Sequence, residues 1–142
     1  FMSTDVSVIR NAGNGTFLPQ INYNTSGTAF MVTLADVNGD NRPDIIVINL
    51  GENNVAVLLN DGNGIFLPPT FYTVGLRPQG LATADVNQDG WPDILVANSW
   101  AESVSILIND QHGQFSPQPT LSVGSLPTVV AAADLNIDHL PD

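Results

Sequence analysis

A chain of 142 residues with fourteen acidic and three basic side chains, net charge −11, is a poor partner for nucleic acid. Phosphate binding needs a clustered basic surface, and Arg10, Arg42 and Arg77 are scattered. The absence of cysteine removes disulfide frameworks and thiolate chemistry and leaves the redox compartment open, and no run of about 18 apolar residues is present to insert into a membrane.

The first predicted strands are residues 6–9 and 17–23, the later strands of a partial unit, joined through the turn Asn11-Ala-Gly-Asn-Gly15. An acidic loop follows at residues 36–44, then a β-branched apolar run at 44–49, a polar turn and a third strand at 54–59. Asn60-Asp-Gly-Asn-Gly64 has the residues that tolerate positive φ in a tight hairpin. A fourth strand opens at Phe66, continues through 71–74 and breaks at Gly75. Pro68 and Pro69 cannot donate ladder bonds, which puts this strand at a sheet edge. The order then repeats: small apolar residues 80–84, as expected of a strand buried on both faces, an acidic loop at 85–93, runs at 93–98 and 103–108, a turn at 109–113, and Phe115 ahead of Pro117 and Pro119. A third acidic loop occupies 134–142, and no helix is expected.

About half the positions of 36–66 recur without a gap at 85–115, and Phe17, Phe66 and Phe115 keep the same 49-residue interval, so the repeat is the unit to count. Residues 1–142 divide as one array: 1–28 a partial unit, 29–77 and 78–126 full units, and 127–142 the start of the next. Four strands per unit, small and apolar at one end and edge-like at the other, predict an all-β fold of propeller blades, each of four antiparallel strands. Closed propellers have typically four to eight blades, so about three repeats predict an incomplete ring. Both ends of the chain read as cut from a longer array.

The three loops read Asp36-Val-Asn-Gly-Asp-Asn-Arg-Pro-Asp44, Asp85-Val-Asn-Gln-Asp-Gly-Trp-Pro-Asp93 and Asp134-Leu-Asn-Ile-Asp-His-Leu-Pro-Asp142. Oxygen side chains at positions 1, 3, 5 and 9 of each loop can curl a short backbone around one hard cation, which suits calcium. The first site would use Asp36, Asn38, Asp40 and Asp44 with the carbonyl of Arg42. The second would use Asp85, Asn87, Asp89 and Asp93 with the carbonyl of Trp91, and the third Asp134, Asn136, Asp138 and Asp142 with the carbonyl of Leu140. All-oxygen sets disfavour zinc and copper. Position 6 is Asn41, Gly90 or His139, residue types that tolerate left-handed backbone. An EF-hand competes as a reading, but Val47 and Val96 stand where its bidentate glutamate belongs. An Asp/Asn-rich turn without metal is the plainer alternative. Nine of the fourteen acids lie in the loops, so three divalent ions would offset about half of the net charge. The ion would act structurally, relieving repulsion among the carboxylates and linking the first two strands of a unit. Sites of roughly 10⁻⁴ to 10⁻³ M would stay empty at resting cytosolic calcium, which favours an extracellular setting.

The Asp-x-Asn-x-Asp-x-x-Pro-Asp loop, the strand after it and the Asn-Asp-Gly-x-Gly-x-Phe turn recur in one register. Together they resemble FG-GAP or VCBS repeats, the family that includes the integrin alpha-subunit propeller, over essentially the whole chain. The resemblance implies a calcium-bearing β-propeller on a secreted or cell-surface protein, used in adhesion or in binding a protein or carbohydrate ligand.

Little else carries chemistry. His112 falls in a hairpin turn and His139 in an acidic loop, neither beside a Ser, Cys or second His, and Ser99 and Ser103 lack a base partner, so no enzyme activity is expected. Glu52 and Glu102 occupy equivalent turns, which makes them architectural rather than a glycosidase pair. Asn60-Asp-Gly-Asn-Gly64 resembles half an ion loop, although its counterparts lose the ligands unevenly. Asn14 and Asn24 head glycosylation sequons. Trp91 and Trp100 either pack between blades or stack on a sugar or partner. The expected function is a non-enzymatic calcium-binding extracellular module for adhesion or recognition. Its alternatives are a self-assembling unit of an oligomer or filament, completed by further copies of the chain, and an accessory propeller of a secreted carbohydrate-active enzyme.

Overall fold

The computed structural model describes residues 3–142, and the regular structure among them is entirely β-strand. β1 (Asp5–Val8) and β2 (Ile21–Asn24) form a two-stranded antiparallel ribbon. β3 (Ala29–Ala35), β4 (Asp44–Asn49), β5 (Asn54–Leu58) and β6 (Thr70–Thr73) form a four-stranded antiparallel meander in sequence order. β7 (Pro78–Ala84), β8 (Asp93–Asn98), β9 (Ser103–Asn109), β10 (Phe115–Pro117) and β11 (Leu121–Ser122) form the third sheet, in which β10 and β11 both pair with β9.

The expected four strands per unit are thus met by sheets of two, four and five strands, and no sheet closes on itself. The difference between the larger sheets is one of pairing length. Where the third sheet has β10, the second has the single bridge Asn60↔Phe66, because Pro68 and Pro69 interrupt the ladder. Both meanders also slip register at the same place in their first strand, between Ala29 and Met31 and between Pro78 and Gly80. Residues 127–133, the expected first strand of a further unit, are not assigned to a strand. Their backbone nevertheless lies against β7, where a Cβ on Gly80 would stand 2.9 Å from Val129 Cα.

β4 and β8 are buried at every position, which explains why they read as continuous apolar runs instead of alternating ones. Along β4, Ile46 and Ile48 face the third sheet and join Val55, Val57, Leu81, Ile94, Val96, Leu107 and Phe115 in the larger core. Ile45 and Val47 face the other way, joining Ala56 and Leu58 beneath Val6, Val8 and Tyr23 of the ribbon. The second sheet is therefore the middle layer of a stack. An edge-to-face aromatic pair recurs at each junction: Tyr23 on Phe66 at 5.5 Å and Tyr72 on Phe115 at 5.4 Å between ring centroids. The constant phenylalanine of the repeat is thus the partner of a tyrosine on the preceding sheet.

Phe17 shares the sequence interval but not the environment, being 63% exposed where Phe115 is 8% exposed. Phe115→Ala should cost about 3–5 kcal/mol in denaturant unfolding, whereas Phe17→Ala should stay within about 0.5 kcal/mol of the unchanged chain. Equal losses would show that the pattern, not the stacking, sets the energy.

Candidate metal centre

The first two acidic loops each join the first two strands of a unit, β3 to β4 and β7 to β8, and the last aspartate of each opens the second strand. That aspartate is wholly buried in both full units. Asp44 accepts the Val37 N–H on Oδ2 (3.0 Å) and the Asn60 N–H on Oδ1 (2.8 Å). Asp93 accepts those of Val86 (2.9 Å) and Asn109 (2.9 Å) in the same way. One carboxylate thereby ties the start of the loop to the end of the third strand. Burial pushes both carboxyls above the ordinary aspartate value, against the opposing pull of these amides, and the charges at positions 1 and 5 push in the same direction. In the third loop the Leu135 N–H donates to Asp142 Oδ2 (3.0 Å), and Ala133 and Asp142 exchange backbone bonds at the loop base.

The first aspartate organises the turn. Asp36 accepts the N–H groups of Gly39 (2.7 Å), Asp40 (3.2 Å) and Asn41 (2.7 Å); Asp134 repeats all three with Ile137, Asp138 and His139, and Asp85 accepts those of Asp89 and Gly90. Position 6 is left-handed in all three loops, at φ 62° for Asn41, 89° for Gly90 and 71° for His139, as its residue types predict. Position 4 is left-handed too, at Gly39, Gln88 and Ile137. Sequence reasoning missed this, since neither Gln nor a β-branched Ile favours that region. The side chains at positions 3 and 5 meet: the amide of Asn38 donates to Asp40 Oδ2 (2.8 Å), and Asn87 and Asn136 do the same with Asp89 and Asp138.

The donor chemistry of these loops, carboxylates, amide oxygens and a carbonyl within nine residues, fits a hard divalent cation. Among the described residues, however, no group of three or more His, Cys, Asp or Glu side chains is arranged to hold a metal ion. The carboxylates are turned to backbone amides instead. The loops also differ at position 7. The Arg42 guanidinium forms a 2.6 Å salt bridge with Asp40 and donates to the Asn60 carbonyl, whereas Trp91 and Leu140 bring no charge. The first loop therefore carries an internal counter-ion that the others lack.

Two contacts join successive loops. The Gln88 amide donates to the His139 carbonyl. The Trp91 ring covers Gly39, where an added Cβ would lie 2.1 Å from the ring. Trp91 is thus a packing residue between repeats, while Trp100 is 64% exposed at the opposite end of the sheet. Asn109, which sequence reasoning saw only as a turn residue, is buried and bonds across repeats: its amide donates to the Val37 carbonyl (2.9 Å) and the Pro92 carbonyl (3.1 Å). Its recurrence with Asn11 and Asn60 at the 49-residue interval was the available signal. His112 and His139 are exposed and far apart in sequence. Asn14 and Asn24 are exposed, each side chain accepting an N–H two residues on.

Gly39→Ala should destabilise the chain by about 1–3 kcal/mol through overpacking, in addition to its unfavourable φ. Removing the ring in Trp91→Ala should recover part of that loss in a double-mutant cycle followed by urea unfolding. Strict additivity would show that the loops do not couple through this contact.

A family model described as FG-GAP-like repeat matches the sequence three times, at residues 2–47, 36–96 and 85–142. Comparison with curated proteins and with solved structures gave no match. The three overlapping matches advance from one acidic loop to the next, in step with the stacked sheets. The chain belongs to the FG-GAP-like repeat family.

Proposed function

We propose that this chain is a calcium-binding, non-enzymatic β-propeller module of a secreted or cell-surface protein, serving adhesion or recognition of a protein or carbohydrate ligand. The observation that carries the reading is the loop itself, which recurs with one backbone conformation and one all-oxygen donor set in three successive repeats of this family. The stacked antiparallel sheets support blades of a propeller, with the acidic loops and the hairpin turns that begin at Asn60 and Asn109 at one end of the stack and the turns 50–53 and 99–102 at the other.

The residues that would hold the ion are Asp36, Asn38, Asp40 and Asp44 with the Arg42 carbonyl, and their counterparts in the loops beginning at Asp85 and Asp134. Bound calcium would supply the positive charge that three close carboxylates lack. The protein's own contribution is the fixed turn: amides at positions 5 and 6 hold the first carboxylate in every loop, and in the two full units the buried ninth residue fastens the loop to the third strand. Because the ninth aspartate also anchors the hairpin, filling the loop would stabilise the whole unit. A second reading, association with further repeats of the same kind, is favoured by Phe30, Val32 and Leu34 of β3. These remain exposed while neighbouring Ile45 and Val47 are covered by the ribbon.

Native mass spectrometry with calcium and after chelation tests the central claim, with two or three ions retained per chain expected. Calcium at a hundred times its dissociation constant should stabilise the fold by about 2.7 kcal/mol per site. No retained ion and no shift in melting temperature would sink the calcium reading.

The pH dependence follows from the raised carboxyls of Asp44 and Asp93. With a folded pKa above the unfolded one, the folded state binds more protons in the window between them. Metal-free stability should therefore fall as pH rises through that window. Calcium requires the carboxylates ionised, so its stabilising increment should grow over the same window. Melting curves with and without calcium from pH 3 to 7 check both signs (about the range in which carboxyls titrate).

A further inference from the structure

The end of the stack opposite the acidic loops holds a cleft of about 410 Å³ between the second and third sheets. Thr28, Leu50, Gly51 and Asn53 line one side, and Leu76, Arg77 and Trp100 the other. We propose that this cleft binds an acidic saccharide, a uronic acid residue, with Arg77 pairing its carboxylate and Trp100 carrying its ring.

Charge is the first argument. Arg77 is one of three basic residues against fourteen acidic ones. Arg42 forms a salt bridge with Asp40, and Arg10 donates to the Asn63 carbonyl. The Arg77 side chain makes no hydrogen bond or salt bridge among the described residues, and its guanidinium lies 4.6 Å from the centroid of the Trp100 ring. No carboxylate lines the cleft, although Glu52 and Glu102 lie on the adjoining turns and are exposed. A planar cation with free donors at a cleft mouth matches a carboxylate bidentately.

Construction is the second. The Arg77 N–H donates to Asn53 Oδ1 (2.8 Å), the Ser99 N–H to the Arg77 carbonyl (2.9 Å) and the Trp100 N–H to the Leu76 carbonyl (3.2 Å). The first bond ties the two walls together, and the other two hold Arg77 and Trp100 within one wall. Arg77 and Asn53 both hold left-handed backbone, at φ 54° and 51°, and neither is glycine. Glu102 and Leu126, one period on, hold the same backbone at φ 48° and 53°, so this is the turn geometry of the repeat on which the junction is built.

Ring chemistry is the third. Trp100 keeps 64% of its surface exposed while backing the guanidinium, and an exposed indole offers an apolar face to the C–H side of a pyranose. Thr28 and Asn53 stand on the facing wall with groups that hydrogen-bond hydroxyls. The volume suits one or two sugar rings. One 49-residue period earlier stand Thr28 and Gly51, so the pair belongs to this junction and is not a constant of the repeat.

The inference deepens the recognition part of the proposed function and does not depend on the calcium part. Failure of the calcium titration leaves it standing, and its failure leaves the loops as they are. The test is saturation-transfer NMR and calorimetric titration of the full chain, in calcium, with glucuronate, glucose and acetate as separate probes. Glucuronate should bind, with glucose and acetate at least about tenfold weaker, the loss expected when about 1.4 kcal/mol is removed. Arg77→Gln and Trp100→Ala, each checked for an unchanged melting temperature, should each weaken glucuronate by about tenfold or more. Absence of glucuronate binding overturns the proposal, as does full affinity in either variant. Equal binding of acetate removes the role of Trp100 and overturns the saccharide assignment. Equal binding of glucose removes that of Arg77.

Discussion

The rest of the structure depends on a buried carboxylate at the head of each second strand. Asp44 and Asp93 are inaccessible to solvent, yet each accepts two backbone N–H groups from separate parts of the chain, one in the loop and one sixteen residues on at the end of the third strand. Burying a carboxylate without partners is strongly unfavourable, so these bonds cannot be exchanged for apolar packing without redesigning the loop. The arrangement makes the loop, the first strand pair and the hairpin one unit. It also lets chemistry at the loop reach the core, because the residue after each aspartate, Ile45 or Ile94, is already a core side chain.

Stacking is the second level of organisation. Each of the two larger sheets has two apolar faces, and such a sheet alone would leave both in water. The middle sheet avoids this by packing the ribbon on Ile45 and Val47 and the third sheet on Ile46 and Ile48. Polar links follow the same path: Asn109 bonds to Val37 across the interface, and Trp91 lies over Gly39. These contacts give one loop a physical link to the next. The buried amide oxygens of Asn49 and Asn98, at the far ends of β4 and β8, have no partner among the described residues, although their nitrogens donate to backbone or hydroxyl oxygens. Each is a place where a water molecule would complete the bonding.

The two ends of the stack divide the chemistry. Nine carboxylates are gathered in loops at one end, where backbone amides hold the first and last of each loop. At the other, Arg77 and Trp100 stand on turns whose residues vary between repeats. Architecture is carried by what recurs.

Much of this was legible in the residues alone. The 49-residue period, the all-β class, the order loop, strand, turn, strand, and the left-handed sixth loop position follow from spacing and backbone preference, which are local properties. What the sequence could not supply was the partner of each repeated residue. Phe115 packs on Tyr72 while Phe17 has no such neighbour, Asn109 reaches a carbonyl 72 residues away, and Trp91 rather than Trp100 fills the gap between repeats. Left-handed backbone at Gln88 and Ile137 is likewise imposed by the bonds that close the loop, against the preference of the residues there. Only the stacking of sheets decided these contacts, because it brings together residues whose spacing carries no mark of one another.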